Sequence, residues 1–354
     1  MMKKIAILVP DLCLGGGQRV ALNTAQLLAQ KHDVNLVIFT DEDTLFKTNI
    51  KVINLNCSKK HTLFGKFYNI YNRVKKYKRL LRKEKYDVTI SFLESANLCA
   101  FLSHRQKSIL TIHTSPELLT KFDQIILHYL FKYSHHLIAV SNGLKNTLET
   151  LFKLDNITVI NNSIDPKLIN SLANQNQFKH PRKFIVSVGR LVDEKRYDVM
   201  INAFYKTKAS KEYDLIIIGD GPNFEKLKSN LDMRSNNVFL MGKMENPFPV
   251  IKEAELFLMT SRIEAFPMVL LEALSLSKPV VAYNCPMGLK DIVNHNGNGL
   301  LIKNNNLNGL VNAVDKVIYD KDLKESLIKN SQSSVNRYVP QVIAEDWEAY
   351  LRRF

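Results

Sequence analysis

Cysteine is scarce in this sequence, and the cysteines present stand far apart. The four residues, Cys13, Cys57, Cys99 and Cys285, include no C-x-x-C pair. Structural zinc sites and disulfide frameworks need closer and more numerous cysteines. The sequence therefore argues against both and fits a reducing compartment, which predicts a cytoplasmic protein.

Long apolar runs are also absent. No uncharged apolar stretch approaches the roughly 18 residues that a membrane-spanning helix needs. The apolar run at 5–9 stops at Pro10 and Asp11, and is too short for the core of a signal peptide. We therefore expect neither a transmembrane helix nor a signal peptide, and we interpret this run as the first β-strand.

The composition is that of a folded globular protein. Apolar residues make up 45% of the 354 residues and charged residues 23%, which excludes a disordered chain. At roughly 150 residues per domain, this length predicts two domains, each able to bury a full core.

Short apolar runs alternate with segments of helical length, which is typical of parallel α/β sheets buried on both faces. A first series of predicted strands comprises 5–9, 34–39, 51–55, 87–92, 108–112, 136–140 and 157–160. After a polar, asparagine-rich stretch, a second series comprises 183–189, 213–219, 237–242, 255–260, 279–283 and 299–302.

This pattern predicts an α/β fold with two Rossmann-like domains. We place the N-terminal domain at 1–165, a linker at 166–182 and the C-terminal domain at 183–339. The segment 340–354 is predicted to form a helix that packs back on the first domain. Because ligands bind beyond the carboxyl ends of parallel strands, we expect the site in a cleft where the two domains face each other.

Positive charge is concentrated in the first half of the chain. The net charge is +15, and residues 1–180 hold 25 Lys and Arg against 13 Asp and Glu. Residues 59–85 alone contain eleven basic residues and one acidic residue, with apolar residues at helical spacing. This segment fits a surface helix with a solvated face, and fits equally a patch that binds anionic lipid or an acidic acceptor. Nucleic acid is a weaker alternative, because no recognition motif accompanies the charge.

Three consecutive glycines, 15–17, separate the first strand from a predicted helix. Such glycines let backbone N–H groups approach an anion closely. The loop is not a dinucleotide-binding G-x-G-x-x-G, because Val20 occupies the third position, and it lacks the G-K-[ST] ending of a P-loop. A tight turn without a ligand is an equally good interpretation.

Two further strand-to-helix loops carry candidate residues. Arg190 follows Gly189 at a strand end, and Lys195 stands five residues further on. Two cations at this position can bind phosphate groups; the alternative is that both are ordinary surface charges. Gly219 and Gly221 are predicted to form a tight turn that lets a flat ligand approach closely. A simple βα turn without a ligand is an equally good interpretation.

His113 follows a predicted strand of the first domain, and its place at the expected cleft makes it a candidate, although most single histidines are structural. Two Asp-x-Asp triplets, 41–43 and 320–322, match a pattern of some metal-dependent transferases. No third ligand converges on either triplet, so we predict no metal site.

The segment 261–281 places Glu264 and Glu272 in an otherwise apolar sequence. Two facing carboxylates would be typical of glycoside hydrolysis. On one helix, however, the two would be separated by about 12 Å and about 80° of rotation, and Pro267 favours the start of a helix. We therefore predict Glu264 in a loop and Glu272 in the second turn of a helix, whose first three N–H groups form an anion site.

Taken in order, the glycine-rich first loop, GRLVDEK, IIGDGP and two glutamates with seven residues between them resemble glycosyltransferase family 4. NNSID (161–165) and CPMGLKDIV (285–293) are also similar to the family. The resemblance covers nearly the whole chain and implies a retaining enzyme with the two-domain GT-B architecture. Among family members, it resembles most the bacterial enzymes that build lipopolysaccharide, capsule or lipid-linked oligosaccharide.

The resemblance also implies roles for single residues. Arg190 and Lys195 would neutralise the donor diphosphate, Glu272 would bind the ribose hydroxyls, and Glu264 would lie beside the donor sugar. In the first domain, Gly16 and Gly17 would close over the diphosphate, and His113 would approach the sugar. The further donor-binding positions are Gly189, Gly219, Gly221, Ala265, Phe266, Pro267, Met268 and Val269.

The sequence departs from the family pattern at two positions. Ala265 stands where the family usually has glycine, and Arg196 stands where glycine or asparagine is common. Both changes bear on how closely the backbone can approach the donor.

The implied activity is the transfer of a hexose or N-acetylhexosamine, without metal or cofactor, from a nucleotide diphosphate sugar. UDP is the expected nucleotide, and the acceptor would be a growing lipopolysaccharide or lipooligosaccharide, a capsule or a lipid-linked oligosaccharide. The basic segment 59–85 would hold the protein on the inner face of the cytoplasmic membrane, and no nucleic acid would be bound. The alternatives are a non-catalytic nucleotide-sugar or glycan-binding protein, and another Rossmann-type enzyme that modifies sugar nucleotides.

Overall fold

The computed structural model describes residues 1–13, 15–41, 48–57, 62–231 and 236–354, which form two compact units. Unit 1 comprises Met1–Ser163 together with Pro340–Phe354, and unit 2 comprises Ile164–Val339. Each unit is built on one parallel β-sheet, which confirms the predicted α/β fold class.

Within the described residues, the sheet of unit 1 has seven strands in the order β3-β2-β1-β4-β5-β6-β7. The strands are β1 (Lys4–Val9), β2 (Asp33–Ile38), β3 (Lys51–Asn54), β4 (Val88–Phe92), β5 (Ser108–Ile112), β6 (His136–Ala139) and β7 (Ile157–Val159). The helices before the chain enters unit 2 are α1 (Gly16–Leu28), α2 (Leu63–Glu84), α3 (Glu94–His104), α4 (Lys121–Lys132) and α5 (Asn142–Phe152), with short 3₁₀ helices at Arg105–Lys107 and Pro116–Leu118.

The sheet of unit 2 has six strands among the described residues, in the order β10-β9-β8-β11-β12-β13. They are β8 (Phe184–Val188), β9 (Asp214–Ile218), β10 (Val238–Leu240), β11 (Leu256–Met259), β12 (Val280–Asn284) and β13 (Gly299–Lys303). The helices are α6 (Pro166–Ala173), α7 (Tyr197–Lys206), α8 (Phe224–Leu231), α9 (Phe248–Glu253), α10 (Met268–Ser275), α11 (Leu289–Ile292), α12 (Leu307–Tyr319) and α13 (Lys321–Ser334), with 3₁₀ helices at Asp193–Lys195, Ala209–Lys211 and Asn336–Tyr338.

The last helix, α14 (Pro340–Leu351), returns to unit 1 and packs with α1. Trp347 is only 3% exposed and belongs to one core cluster with the strands of unit 1. His32 fixes the helix further, because its Nε2 lies 2.9 Å from Oε1 of Glu348. The strands themselves are continuous apolar runs, because a parallel sheet covered by helices buries both faces.

The helices α2 to α5 cover the other face of this sheet. Each connects strands in the same direction along the sheet, and right-handed crossovers place such helices on one side. Consistent with this rule, α2 packs on α3, and the rings of His128 and Phe152 join α4 to α5 with their centroids 5.5 Å apart.

The predicted basic segment 59–85 corresponds largely to α2; residues 59–61 lie outside the described residues. The helix begins at a Thr62 cap, whose side chain accepts a hydrogen bond from the Gly65 N–H (3.0 Å), and it exposes Phe67 and Tyr71. None of the described helices combines the length and the apolar composition that crossing a bilayer would require.

The predicted linker 166–182 begins with helix α6, which belongs to unit 2. Asp165 caps this helix by accepting hydrogen bonds from the N–H groups of Lys167 and Leu168, and Pro166 occupies the first helical position, where proline is favoured.

The Asp-x-Asp triplet 320–322 has a structural role, because Asp320 is the N-cap of α13 and accepts from the Leu323 N–H. Of the other triplet, Asp41 is described, and residues 42 and 43 lie outside the described residues. No group of three potential metal ligands occurs among the residues that the structure describes.

Candidate functional site

The two sheets share a feature that positions ligand sites in open parallel sheets. In unit 2 the strand order reverses between β8 and β11, and in unit 1 it reverses between β1 and β4. At such a switch point the loops after the two central strands diverge, so a crevice opens beyond their carboxyl ends. The candidate residues of each unit follow these strands.

Lys195 and Glu264 meet at the switch point of unit 2. Lys195 ends the 3₁₀ helix after β8, Glu264 follows β11, and Nζ of the lysine donates to Oε1 of the glutamate. The side chains remain 25% and 12% exposed, so a solute can still reach the pair. The two charges neutralise each other in this state, and this contact was not predicted from the sequence.

The backbone around Glu264 is held against the loop after β12. The Gly288 N–H donates to the Glu264 carbonyl (3.0 Å), and Glu264 forms a β-bridge with Met287. A Cβ atom at Gly288 would come within 2.1 Å of the Ala265 carbonyl oxygen, so only glycine fits there. This packing fixes the direction in which the Glu264 side chain leaves the sheet edge.

Helix α10 begins directly after Pro267, which lies at the N-cap without a side-chain hydrogen bond. Glu272 falls in its second turn and is 6% exposed, while Glu264 lies in the preceding loop. Our prediction of three unpaired N–H groups needs correction, because the Leu270 N–H donates to the Pro267 carbonyl (3.0 Å). Met268 and Val269 are the first two residues of the helix, so their N–H groups have no carbonyl partner within it.

Phe266 packs edge-on against Tyr338, with ring centroids 5.5 Å apart.

Arg190 is exposed at the end of β8, and no carboxylate among the described residues forms a salt bridge with it. The glycines nearby serve close backbone packing. A Cβ at Gly219 would lie 1.9 Å from the Gly189 carbonyl oxygen, and one at Gly221 would lie 2.5 Å from the Leu191 carbonyl oxygen. The loop after β9 therefore supports the loop that carries Arg190.

Arg196 connects the loop after β8 to three neighbouring strands. Its backbone is left-handed, with φ of 51°. The side chain donates from Nε to the Thr260 carbonyl (3.0 Å) and from Nη2 to Asn304 (2.6 Å), and its guanidinium carbon lies 5.0 Å from the Tyr283 ring centroid. These contacts reach across β11, β12 and β13.

Thr260 strengthens the same connection, because its hydroxyl lies 3.0 Å from the carbonyl oxygens of both Lys195 and Arg196. In the sequence, Arg196 stands out only as a departure from the family pattern, and Thr260 was not predicted as a site residue. The available signal was the position of Thr260 as the last residue of the predicted strand 255–260.

In unit 1, Gly16 and Gly17 form the first turn of α1, which has no side-chain cap. A Cβ at Gly16 would meet nothing within 4 Å, whereas one at Gly17 would come 2.5 Å from the Leu93 side chain. Leu93 follows β4, so the glycine loop and the start of α3 lie side by side at the switch point.

His113 follows β5 and stacks on Phe92, with ring centroids 5.3 Å apart. Its Nε2 lies 2.9 Å from the Thr111 hydroxyl, which itself donates to the Ser91 carbonyl (2.7 Å). The hydroxyl has one hydrogen, so it accepts from Nε2, and Nδ1 of His113 is left as an acceptor. Burial lowers the pKa of His113 to about 4, so the ring is neutral near pH 7.

Two family models match adjoining parts of the chain. The model described as Glycosyltransferase Family 4 matches residues 14–168, and the model described as Glycosyl transferases group 1 matches residues 169–334. Together they span the glycine loop and every candidate residue of unit 2.

Similar proteins were also found over the full length of the chain. An N-acetylgalactosamine-N,N'-diacetylbacillosaminyl-diphospho-undecaprenol 4-alpha-N-acetylgalactosaminyltransferase of Campylobacter jejuni is 25% identical, over 99% of this chain and 100% of that protein. Among solved structures, Anabaena HepE in complex with UDP and glucose has a TM-score of 0.81 at 20% identity, and the galactosyltransferase WaaB has 0.77 at 21%. Both comparisons cover 99% of this chain and 100% of the other, and they show that the fold is GT-B.

Proposed function

Because this chain belongs to the family 4 glycosyltransferases, we propose that it moves a hexose or N-acetylhexosamine from a UDP-sugar to a growing surface glycan with retention of configuration. The observation that carries the proposal is the Lys195–Glu264 pair at the switch point of unit 2. Lys195 is paired with one carboxylate there, and its ammonium group could instead stabilise the negative charge of a departing nucleoside diphosphate.

The electrostatic task in this reaction is to stabilise the departing nucleoside diphosphate. We propose that Lys195 exchanges Glu264 for the diphosphate, and that the exposed Arg190 and the first N–H groups of α10 add further positive potential. Glu264, once released, would face the transferred sugar. Fixed cations would perform this work without a metal ion or cofactor.

Glu272 has a separate role in the proposal. Its carboxylate is buried in the second turn of α10, a turn away from the diphosphate site, where it would accept hydrogen bonds from the ribose hydroxyls. No second carboxylate is therefore assigned as nucleophile. Retention would follow from attack by the acceptor hydroxyl on the face from which the diphosphate leaves.

For unit 1 we propose ligand contacts of two kinds. The Gly16 backbone, with open space where a side chain would stand, would bind a phosphate group. The neutral His113 would accept a hydrogen bond from a sugar hydroxyl at Nδ1, because Nε2 is engaged with Thr111.

The acceptor is proposed from the relatives and from the surface of α2. The Campylobacter relative acts on a diphospho-undecaprenol saccharide, and a lipid-linked, lipopolysaccharide or capsule acceptor would require a position at the membrane. Helix α2 exposes Phe67 and Tyr71 beside basic residues such as Lys75. We propose that it holds the protein on the inner face of the cytoplasmic membrane.

A hydrolysis screen tests the proposed donor. Purified protein is incubated with UDP-, GDP- and ADP-sugars, and release of the nucleotide is measured, followed by mass spectrometry with candidate saccharide acceptors. We expect release from a UDP-hexose or UDP-N-acetylhexosamine and loss of release in Arg190→Ala, with an unchanged melting temperature. Turnover close to wild type in Arg190→Ala would contradict the assignment of the diphosphate site.

A further inference from the structure

A groove of about 910 Å³ lies in unit 2 beside the edge strand β13 of the described sheet. It is formed by α11, the turn between α11 and β13, and the end of α13 with the 3₁₀ helix that follows. None of the residues assigned to the proposed donor site lines it. The volume is in the upper part of the range for ligand sites, about 300–1,000 Å³, which suits a molecule of the size of a saccharide.

Two cations, Lys290 and Arg337, are the reason to expect an anion in this groove. Both residues are exposed, and no carboxylate in the described part of the chain forms a salt bridge with either. None of the described residues that line the groove is acidic. Lys290 belongs to α11 and Arg337 to the 3₁₀ helix at Asn336–Tyr338, so separate elements contribute the two charges. Together they give the groove a positive potential.

The buried Tyr338 joins the two elements that carry these cations. Its hydroxyl donates to the carbonyl of Asp291, the residue after Lys290 in α11. Its own carbonyl accepts from the Ile164 N–H (2.8 Å). The guanidinium carbon of Arg337 lies 4.7 Å from the centroid of the Tyr338 ring. Stacking on an aromatic ring constrains the guanidinium plane and leaves its edge free to bind.

The turn before β13 is built around a buried asparagine. Asn298 is 1% exposed, and its side chain accepts from the Asn294 N–H (2.9 Å) and donates to the Ile292 carbonyl (3.0 Å). Nδ1 of His295 accepts from the Leu301 N–H (3.0 Å), so the hydrogen of the neutral ring is on Nε2 and can be donated to a ligand. These bonds give the groove one fixed wall.

The remaining lining suits a molecule with many hydroxyl groups. Three further asparagines, among them Asn284 and Asn336, and two serines line the groove. Amides and hydroxyls both donate and accept hydrogen bonds, as the hydroxyl groups of a sugar do. Ile292 and Leu301 add apolar surface for the C–H groups of a sugar ring.

We propose that this groove binds an anionic saccharide, that is, a sugar that carries a phosphate or carboxylate group. Lys290 and the free edge of the Arg337 guanidinium bind the anionic group, and the amides and hydroxyls bind the sugar. A free sugar phosphate and an acidic residue within a glycan chain share this chemistry. The site is separate from the proposed donor site and does not depend on which donor the protein uses.

The experiment is a calorimetric titration of the full-length protein with glucose 6-phosphate at low salt, with saturating UDP to occupy the proposed donor site. We expect binding at millimolar concentration or below, and a loss of about tenfold in Arg337→Ala and in Lys290→Ala, the order of one hydrogen bond to a charged group. Glucose and inorganic phosphate should each bind at least tenfold more weakly, because each lacks half of the contacts. Equal binding of either one, or no binding of glucose 6-phosphate to wild type, would overturn the proposal.

Arg353→Ala is the matched control, because Arg353 is also exposed and its guanidinium carbon stands over a tyrosine ring, 4.5 Å from the Tyr350 centroid, outside the groove. It should change the affinity less than twofold, and an equal loss there would contradict the site. Ser333→Phe fills the groove from α13 and keeps both cations. It should weaken binding as much as Arg337→Ala does, and covers the case in which loss of Arg337 disturbs Tyr338.

A comparison of glucuronic acid with a tetrasaccharide that contains glucuronate identifies the source of the ligand. Tighter binding of the tetrasaccharide, by tenfold or more and dependent on Arg337, indicates that the groove holds part of a glycan chain; equal or weaker binding indicates a free anionic sugar. Binding of glucose 6-phosphate that depends on Arg337 in a protein that binds no UDP would uphold the groove and contradict the proposed donor instead.

Discussion

The ammonium group of Lys195 contacts the carboxylate of Glu264 at the carboxyl ends of β8 and β11. The two residues are 69 positions apart, and Thr260 and Gly288 hold their backbones in place. In the proposed function, a diphosphate that binds Lys195 must compete with this carboxylate, so the pair would set both the affinity for the donor and the position of Glu264 beside it.

Replacing Glu264 by glutamine should therefore separate donor binding from transfer. In Glu264→Gln the lysine loses its competing charge, and we expect UDP to bind several-fold more tightly, while sugar transfer falls by roughly 10²-fold or more, the order seen when one transition-state contact is lost. Titration calorimetry with UDP and a transfer assay measure the two effects. Glu225→Gln, at an exposed position of α8, is the control and should change neither. Weaker binding of UDP in Glu264→Gln would refute competition.

The contributions of Arg196 and Asn304 to the free energy of unfolding should be coupled. Arg196→Gly relieves the left-handed backbone but loses the stacking on Tyr283 and several hydrogen bonds, so we expect a net loss of roughly 1–3 kcal/mol. Urea unfolding of both single variants and the double variant Arg196→Gly/Asn304→Ala forms a double-mutant cycle. The double variant should be little less stable than Arg196→Gly. Strict additivity would show that the hydrogen bond contributes nothing to stability.

Gly219→Ala should be among the most destabilising changes of a single methyl group in unit 2. The added Cβ would lie 1.9 Å from the Gly189 carbonyl oxygen, so the loops after β8 and β9 must separate. We expect a loss of more than about 3 kcal/mol. Gly242→Ala is the matched control, because Gly242 also has a positive φ (69°) but has open space around the added carbon; it should cost about 1–2 kcal/mol. Thermal unfolding of both variants compares them, and equal losses would contradict the packing explanation.

His113 should make the folded state sensitive to acid. Its pKa is about 4 in the folded protein and rises to its usual range, near 6.5, on unfolding. The neutral form is thus favoured by folding, and this stabilisation is present above pH 6.5 and lost as the pH falls towards 4. It amounts to at most about 3 kcal/mol. In urea unfolding between pH 7 and pH 4, His113→Gln should lose less stability than wild type. Parallel pH profiles would show that His113 does not titrate in this range.

Sequence patterns predicted the strands and the start of α10 because those features depend on local chemistry. A parallel strand buried on both faces must be apolar along its length, as residues 5–9 are. Proline is disfavoured inside a helix but tolerated at its start, so Pro267 marks where α10 begins. Asp320 shows the limit of such patterns, since the triplet typical of metal sites proved to contain a helix cap.

The contacts that define the site could not be predicted, because they depend on strand order. Lys195 meets Glu264 only because β11 pairs with β8 rather than with β10, the strand before it in sequence. Arg73 was one of eleven basic residues in a charged segment. Its guanidinium lies over the ring of Phe39, which follows β2, and residue spacing does not reveal this contact.

The return of α14 to unit 1 has a consequence for biosynthesis. Trp347 and Ile343 belong to the core of a unit whose other residues precede position 164. During translation, unit 2 is complete by Val339, before the ribosome has released the helix that closes the core of unit 1. Domains generally fold in the order of their synthesis, but here the second unit can finish first. Until α14 has been synthesised, the core of the nascent N-terminal unit lacks Ile343 and Trp347, and the side of α1 that packs with α14 is uncovered.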